Sequence, residues 1–256
     1  MALKLSTGLV NKMLTTAPLR NIMSNCVIDI YSGAQVADAD TAVAGTLLVT
    51  LSKSSGAFTG ETKAVGALTI AGAAGSVDTV TVNAVDILGG SVAFVTDINA
   101  TATAVANAIN ANPKNTMFDA STTGASGVIT LTAREGLGTL VNTWAVSGTY
   151  TTITGGTYVA LTGGVNAVNG CKWGTAAAGV LSKDAVEVWS GNAVATGTAG
   201  WFRIRGSNDA GGASTTLPRV DGSVATSGAQ MNLGSLTVTS GAPFVVPTGT
   251  LTLPKA

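Results

Sequence analysis

The sequence predicts a mainly β protein: a β-sandwich built from both ends of the chain, with an inserted α+β module that contains one amphipathic helix. Three observations support this. Short runs of alternating apolar and polar residues recur along the chain, punctuated by Gly, Asn and Asp. Helical periodicity appears only near the N-terminus and again between residues 97 and 112. The composition changes at two Gly/Ser/Thr-rich joins, KSSGAFTGE and LTGGVNAVNG. These joins put residues 1–62 and 169–256 in the sandwich and 63–168 in the insert, in preference to three domains in a row.

Taken in order, the first 25 residues read as helical. Leu5, Leu9 and Met13 recur at a spacing of four, and a second short turn after Pro18 groups Leu19, Ile22 and Met23. Cys26 to Tyr31 alternates as a strand, with Cys26, Ile28 and Ile30 on one face, and a second strand is expected from Thr46 to Ser52. In the middle region, AVGALTIAG, VDTVTVNAVDIL, GVITLTA and VNTWAVSG read as strands. Among them Ile98, Ala102, Val105 and Ile109 form the apolar stripe of a helix that ends at Asn112-Pro113. VEVWSG, GWFRIRGS, SLTVTS and TGTLTLP then return to short alternating strands, the last with Leu251 and Leu253 on one side.

Composition narrows the function. The 256 residues include no histidine, two cysteines and only 10% charged residues, while Ala, Gly, Ser, Thr and Val fill more than half the positions. Active sites are built from tunable acids, bases and nucleophiles, so this chain reads as a structural protein and not as an enzyme. Thirteen basic and thirteen acidic residues balance, and no basic run occurs, which argues against nucleic-acid binding. Mean hydropathy is +0.42. Polar residues nevertheless interrupt every apolar stretch well before the roughly 18 to 20 residues of a spanning helix, so no membrane partner is expected. Lys4, Asn11 and Lys12 break the apolar core that an export signal would need. Cys26 and Cys171 are expected to be free and buried, with pairing across the intervening segment as the alternative.

Few residues suggest chemistry. Asp29, Asp38 and Asp40 could gather calcium, but the loop lacks the acidic spacing of a calcium motif and reads better as solvated turn carboxylates. Gly206 to Gly212 is a polar, Gly-rich segment without the Lys-Ser/Thr of a phosphate loop. Ser182-Lys183 lacks SxxK spacing, and no serine lies in GxSxG. No catalytic, cofactor or metal residue is therefore assigned. The most specific strand is Trp201-Phe202-Arg203-Ile204-Arg205. Alternation puts Trp201, Arg203 and Arg205 on one face, where they could meet a sugar or a partner carboxylate, or pair internally with Asp209, Asp221 or Glu187. Arg219 and Asp221 point the same way and are candidates for that network.

The C-terminal third, GTAGWFRIRGSNDAGG followed by LPRVDGSVATSGAQMNLGSLTVTSGAPFVVPTGTLTLP, resembles a small β-sandwich family among the structural proteins of tailed bacteriophages. The opening block, PLRNIMSNCVIDIYSGAQVADADTAVAGTLLVTL, is similar to the start of the same kind of protein. The middle, with TVTVNAVDIL, AVANAINANP and GVITLTA, is similar to Gly/Thr/Ala-rich insertions in phage head and tail proteins. The resemblance implies a virion protein, assembled in the host cytoplasm, that contacts major capsid or tail proteins. A head decoration or cement protein, usually a trimer, heads the expectation; a tail, neck or fibre component follows it. A carbohydrate-binding module using Trp201, Trp144 or Trp173 is the alternative of a different class. In the virion reading, Leu5, Leu9 and Met13 anchor the chain, and Trp201, Arg203 and Arg205 are further contact candidates.

Overall fold

The computed structural model describes residues 3–15, 18–124, 126–206 and 209–252. It is mainly β, with 42% strand and 13% helix in a sandwich-like class. The chain divides into two units, Met1–Gly60 with Ala167–Ala256, and Glu61–Asn166.

In the first unit, seven strands form a continuous path in the order Lys4–Leu5, Arg219–Ala225, Gly197–Arg205, Val27–Ser32, Leu47–Lys53, Trp189–Asn192 and Pro243–Val246. Neighbours along this path are antiparallel. Met231–Asn232 adds in parallel to Arg219–Ala225, and Val180–Ser182 pairs with Thr250–Thr252 as a separate ribbon. Alternation sends Ile28, Ile30, Phe202, Ile204, Val220 and Val224 to one face, where they pack with Trp173, Trp189, Leu181 and Leu251. Each such side chain, fully buried, stabilises the fold by about 1.5–3 kcal/mol. Leu251 is buried as expected, whereas Leu253 lies outside the described residues.

The N-terminus differs from its helical reading. Lys4–Leu5 is a strand, with Lys4 opposite Asp221 and Leu5 opposite Val220, so Leu5 is not on a helix at all. The helix is Thr7–Thr15, and it starts where Ser6 Oγ accepts the Leu9 amide at 3.1 Å. Gly8 allows this helix to approach the backbone of Thr216, because a Cβ there would lie 2.3 Å from the Thr216 carbonyl carbon. A short second helix, Leu19–Ile22, follows.

The second unit contains two four-stranded sheets and one helix. One sheet runs Thr154–Thr162, Val65–Ala71, Val128–Ala133, Phe118–Thr122; the other joins Val146–Thr151, Ser76–Val82, Val85–Asp86 and Val92–Ala93. Helix Ile98–Ala111 is capped by Asp97, whose Oδ1 accepts the amides of Asn99 and Ala100 at 2.8 and 2.9 Å. Its stripe of Ala102, Val105, Ala106 and Ile109 is buried among Leu68, Ile129, Leu131 and Phe118. The expected strand VNTWAVSG starts later than read. Gly138–Val141 is a 3₁₀ turn, Thr143 takes a positive φ of 71°, and extension begins only at Val146. Thr154–Thr162 is a further strand that side-chain order does not announce, because its Gly and Thr residues do not alternate in polarity.

The edge strand Phe118–Thr122 is sealed by two asparagines. Asn110, on the helix, accepts the Ala120 amide and donates to the Ala120 carbonyl, both at 2.8 Å. Asn115 does the same for Phe118, at 3.1 and 2.8 Å. Two side-chain amides thus occupy outward backbone groups that would otherwise template another strand. Asn110→Ala should destabilise the chain by about 1–3 kcal/mol, since a buried backbone donor and acceptor lose their partners. The gain in helix propensity of at most about 0.7 kcal/mol does not offset that loss. Urea unfolding checks it; an unchanged or raised midpoint would refute the sealing role.

Candidate functional site

The polar face of the first unit's sheet gathers three arginine–aspartate pairs. Trp201, Arg203 and Arg205 lie on this face, opposite the core-facing Phe202 and Ile204, and Asp29 and Asp221 flank Arg203 on the neighbouring strands. Arg203 grips Asp221 through two hydrogen bonds, from Nε at 2.8 Å and Nη2 at 2.7 Å, with both side chains at 0% exposure. Arg219 grips Asp209 in the same manner, and Arg205 Nε meets Asp29 at 2.5 Å. Arg205 and Arg219 stand directly opposite each other, a repulsive register unless each cation has its own acid. Asp29 and Asp209 provide those acids.

The same cations hold two loops. Arg203 donates to the Thr41 carbonyl at 3.0 Å, Arg219 to the Ala39 and Gly212 carbonyls, and Arg205 to the Asp209 carbonyl. Lys4 donates to the Val36 carbonyl at 2.5 Å. The loops also join each other, through Val43 N to Gly211 O at 2.9 Å and Ser214 N to Asp40 O at 2.8 Å. Trp201 stacks on Tyr31 with centroids 4.7 Å apart, and the Arg203 guanidinium lies 5.6 Å from the Trp201 ring centre. Burial pushes the Asp221 carboxyl above its ordinary range against the pull of Arg203. Burial, with Asp29 alongside, pushes the Tyr31 phenol up as well.

The loop aspartates are turn and helix ligands. Asp38 accepts the Asp40 and Thr41 amides and the Thr41 hydroxyl, which holds its carboxyl below the usual range. Asp40 accepts the Thr7 amide at 2.9 Å and the Thr7 hydroxyl at 2.5 Å, fastening the start of the N-terminal helix. Among the described residues no three His, Cys, Asp or Glu side chains converge to hold a metal. Ser207 and Asn208 of the Gly-rich segment lie outside the described residues.

Glu187 stands apart from the arginines. It accepts the Lys172 amide at 2.7 Å and the Trp189 indole N–H at 3.2 Å. Lys183 donates to the Asp184 and Glu187 carbonyls and lies 5.8 Å from the Trp189 ring centre, so it is not poised on Ser182. Cys26 and Cys171 are free thiols, buried and directly opposite across an antiparallel bridge. A cleft of about 140 Å³ in the same unit is lined by Trp173, Trp189, Phe202, Gln230, Asn232 and Leu251, among others, and by no titratable side chain among the described residues. It offers apolar surface, the amides of Gln230 and Asn232, and Thr248 and Thr250.

Of the residues singled out in the sequence, Leu9, Trp201 and Arg203 are buried inside their own unit. Leu5 and Met13 pack partly buried against the core, and Arg205 is half-buried on Asp29. The partner that sequence reasoning missed is Asp29. Its signal was present: a carboxylate midway along an apolar strand, on the face opposite Ile28 and Ile30, needs a cation. No protein-family model, no curated protein and no solved structure matches the chain.

Burial pushes the Cys26 thiol from 9.0 up to about 12, and that of Cys171 further still. The folded chain therefore keeps protons that the unfolded chain releases above its ordinary thiol range, and stability falls as pH rises through that window. Thiol reagents at neutral pH should label neither cysteine in the native chain and both after unfolding. Cys26→Val should flatten the alkaline loss of stability. Rapid native labelling would contradict this burial.

Proposed function

We propose that this chain is a structural protein of a tailed-phage virion, serving in the head as a decoration or cement protein that stabilises the shell through repeated subunit contacts. The observation that carries the reading is how the chain uses its charge. Arg203, Arg205 and Arg219 are committed to Asp221, Asp29, Asp209 and loop carbonyls, so they set the shape of a surface and present no reactive group. Exposed positions of the second unit are rich in hydroxyls, paired across strands as Thr79 with Thr149 and Thr81 with Ser147. An uncharged surface of this kind can be covered by a neighbouring subunit without desolvating charge. The resemblance of the opening block and the C-terminal third to phage structural proteins points the same way.

Its partners in this reading are other virion proteins and further copies of itself, in a particle assembled in the host cytoplasm. Burial of Trp201 and Trp173 counts against a sugar-binding role, while Trp144 is partly buried and packs edge-on against Phe118. Quantitative mass spectrometry of purified particles tests the proposal. A shell-decorating protein should be present on the order of hundreds of copies, as repeated symmetric contacts require. A handful of copies would move it to the neck, tail tip or fibres, and its absence from particles would overturn the virion reading.

A further inference from the structure

Cys26 and Cys171 lie 145 positions apart in the chain, yet they face each other inside the first unit. The Cys26 amide donates to the Cys171 carbonyl at 3.3 Å, and the Cys171 amide donates to the Cys26 carbonyl at 2.7 Å. A pair that exchanges both bonds holds its Cα atoms about 5.5 Å apart, with the two side chains on one face. Disulfides are commonest at a Cα separation of about 5.5–6 Å. The close approach is built in beside the pair: a Cβ on Gly170 would lie 2.4 Å from Asn25 Cα, so glycine lets the two backbones touch. Cys26 Sγ lies 3.6 Å from the Cys171 carbonyl oxygen, and Cys171 Sγ lies 3.7 Å from that of Leu51. Both residues are at 0% exposure in the apolar core.

We propose that Cys26 and Cys171 are a reversible cross-link site, open as two thiols in a reducing compartment and closed by a disulfide oxidant such as oxidised glutathione. One cysteine's thiolate attacks the oxidant, forming a mixed disulfide and expelling one glutathione thiolate. The second cysteine's thiolate then attacks the first Sγ, forms the Sγ–Sγ bond and expels the other glutathione. The two thiol protons end on the two glutathione sulfurs, which have taken up two electrons. Closure turns the sulfurs away from their carbonyls and draws the two Cβ atoms together by up to about 1 Å. Burial decides the timing. Neither sulfur meets an oxidant in the folded chain, so the first step waits on local opening of the bridge, which lies outside the longer strands. Once the bond has formed, the same burial shields it from reductants. The cross-link ties the segment that follows the second unit to the start of strand Val27–Ser32, and it restricts the unfolded chain through a long loop. The site stands or falls independently of the virion reading.

Refolding the full chain from urea in mixtures of oxidised and reduced glutathione tests it, because the couple then equilibrates without waiting on native opening. Acid quenching followed by mass spectrometry counts the forms. The refolded chain should lose the mass of two hydrogens and yield one peptide pair joined through Cys26 and Cys171. At a fixed glutathione ratio, closed over reduced chain should be about 100-fold higher in buffer than in urea, because a cross-link that stabilises the fold is favoured by the fold to the same extent. The thermal midpoint should rise by roughly 5–15 °C on closure and fall back on reduction. In Cys171→Ala the same mixtures should leave the midpoint unchanged, which assigns the rise to the pair. Five results would overturn the site: glutathione carried on each cysteine of the refolded chain, a pair still reduced at a ratio that closes the unfolded chain, bonds between two chains, a lower midpoint on closure, or a rise that persists in Cys171→Ala.

Discussion

Three arginine–aspartate pairs, two of them fully buried and that of Arg205 with Asp29 partly so, gather on one face of the first unit's sheet, and the arrangement of that unit depends on how they are satisfied. Bringing each ion out of water costs several kcal/mol, and the attraction within a pair roughly cancels that cost. Among the described residues, Arg203 Nη1, the Trp201 indole N–H and the Gln35 amide are buried without hydrogen-bond partners, which lowers the net gain further. The pairs are therefore a poor source of net stability. Their effect is specificity: the guanidinium groups reach past their acids to the carbonyls of Ala39, Thr41, Asp209 and Gly212, and fix two loops on the sheet. An apolar face would have left those loops with many positions of similar energy.

This explains why a chain with so few charges places several of them inside. The other face of the same strands, with Ile28, Ile30, Phe202 and Ile204, supplies the burial that drives folding. Division of labour between the faces follows from the two-residue period of a strand. The second unit uses a different means to define its limits: asparagine side chains at 110 and 115 end the sheet at Phe118–Thr122.

Much of the fold was legible because alternation and helical period are strong signals. The strand Val27–Ser32, the faces of Gly197–Arg205 and the stripe of Ile98–Ala111 could all be read from side-chain order. The failures have physical causes. Leu5 matches the helical spacing of Leu9 and Met13, but it is held extended by pairing with Val220, a partner more than 200 residues away in sequence. Thr154–Thr162 has too many small residues to show a pattern, and its pairing with Val65–Ala71 decides its conformation. In the site, alternation placed the arginines correctly but could not choose their acids. Asp221 and Asp209 came from the expected set, whereas Glu187 belongs to a separate cluster around Trp189 and Lys172. Choosing among them requires loop geometry that no local pattern encodes.

The central claim is that the buried pairs specify loop conformation more than they stabilise the fold. Hydrogen exchange of the double variant Arg203→Met/Asp221→Leu tests it most directly, read at the amides of Val43 and Ser214, which bridge the two loops, and at those of the core strands. If the account holds, Asp221→Ala alone loses about 3–5 kcal/mol, because a buried guanidinium is left unpaired. The double variant then regains global stability and core protection near the wild type, while the two loop amides, Val43 beside the freed Thr41 carbonyl above all, lose protection. Loop amides protected as in the wild type, in a double variant that is equally stable, would contradict it.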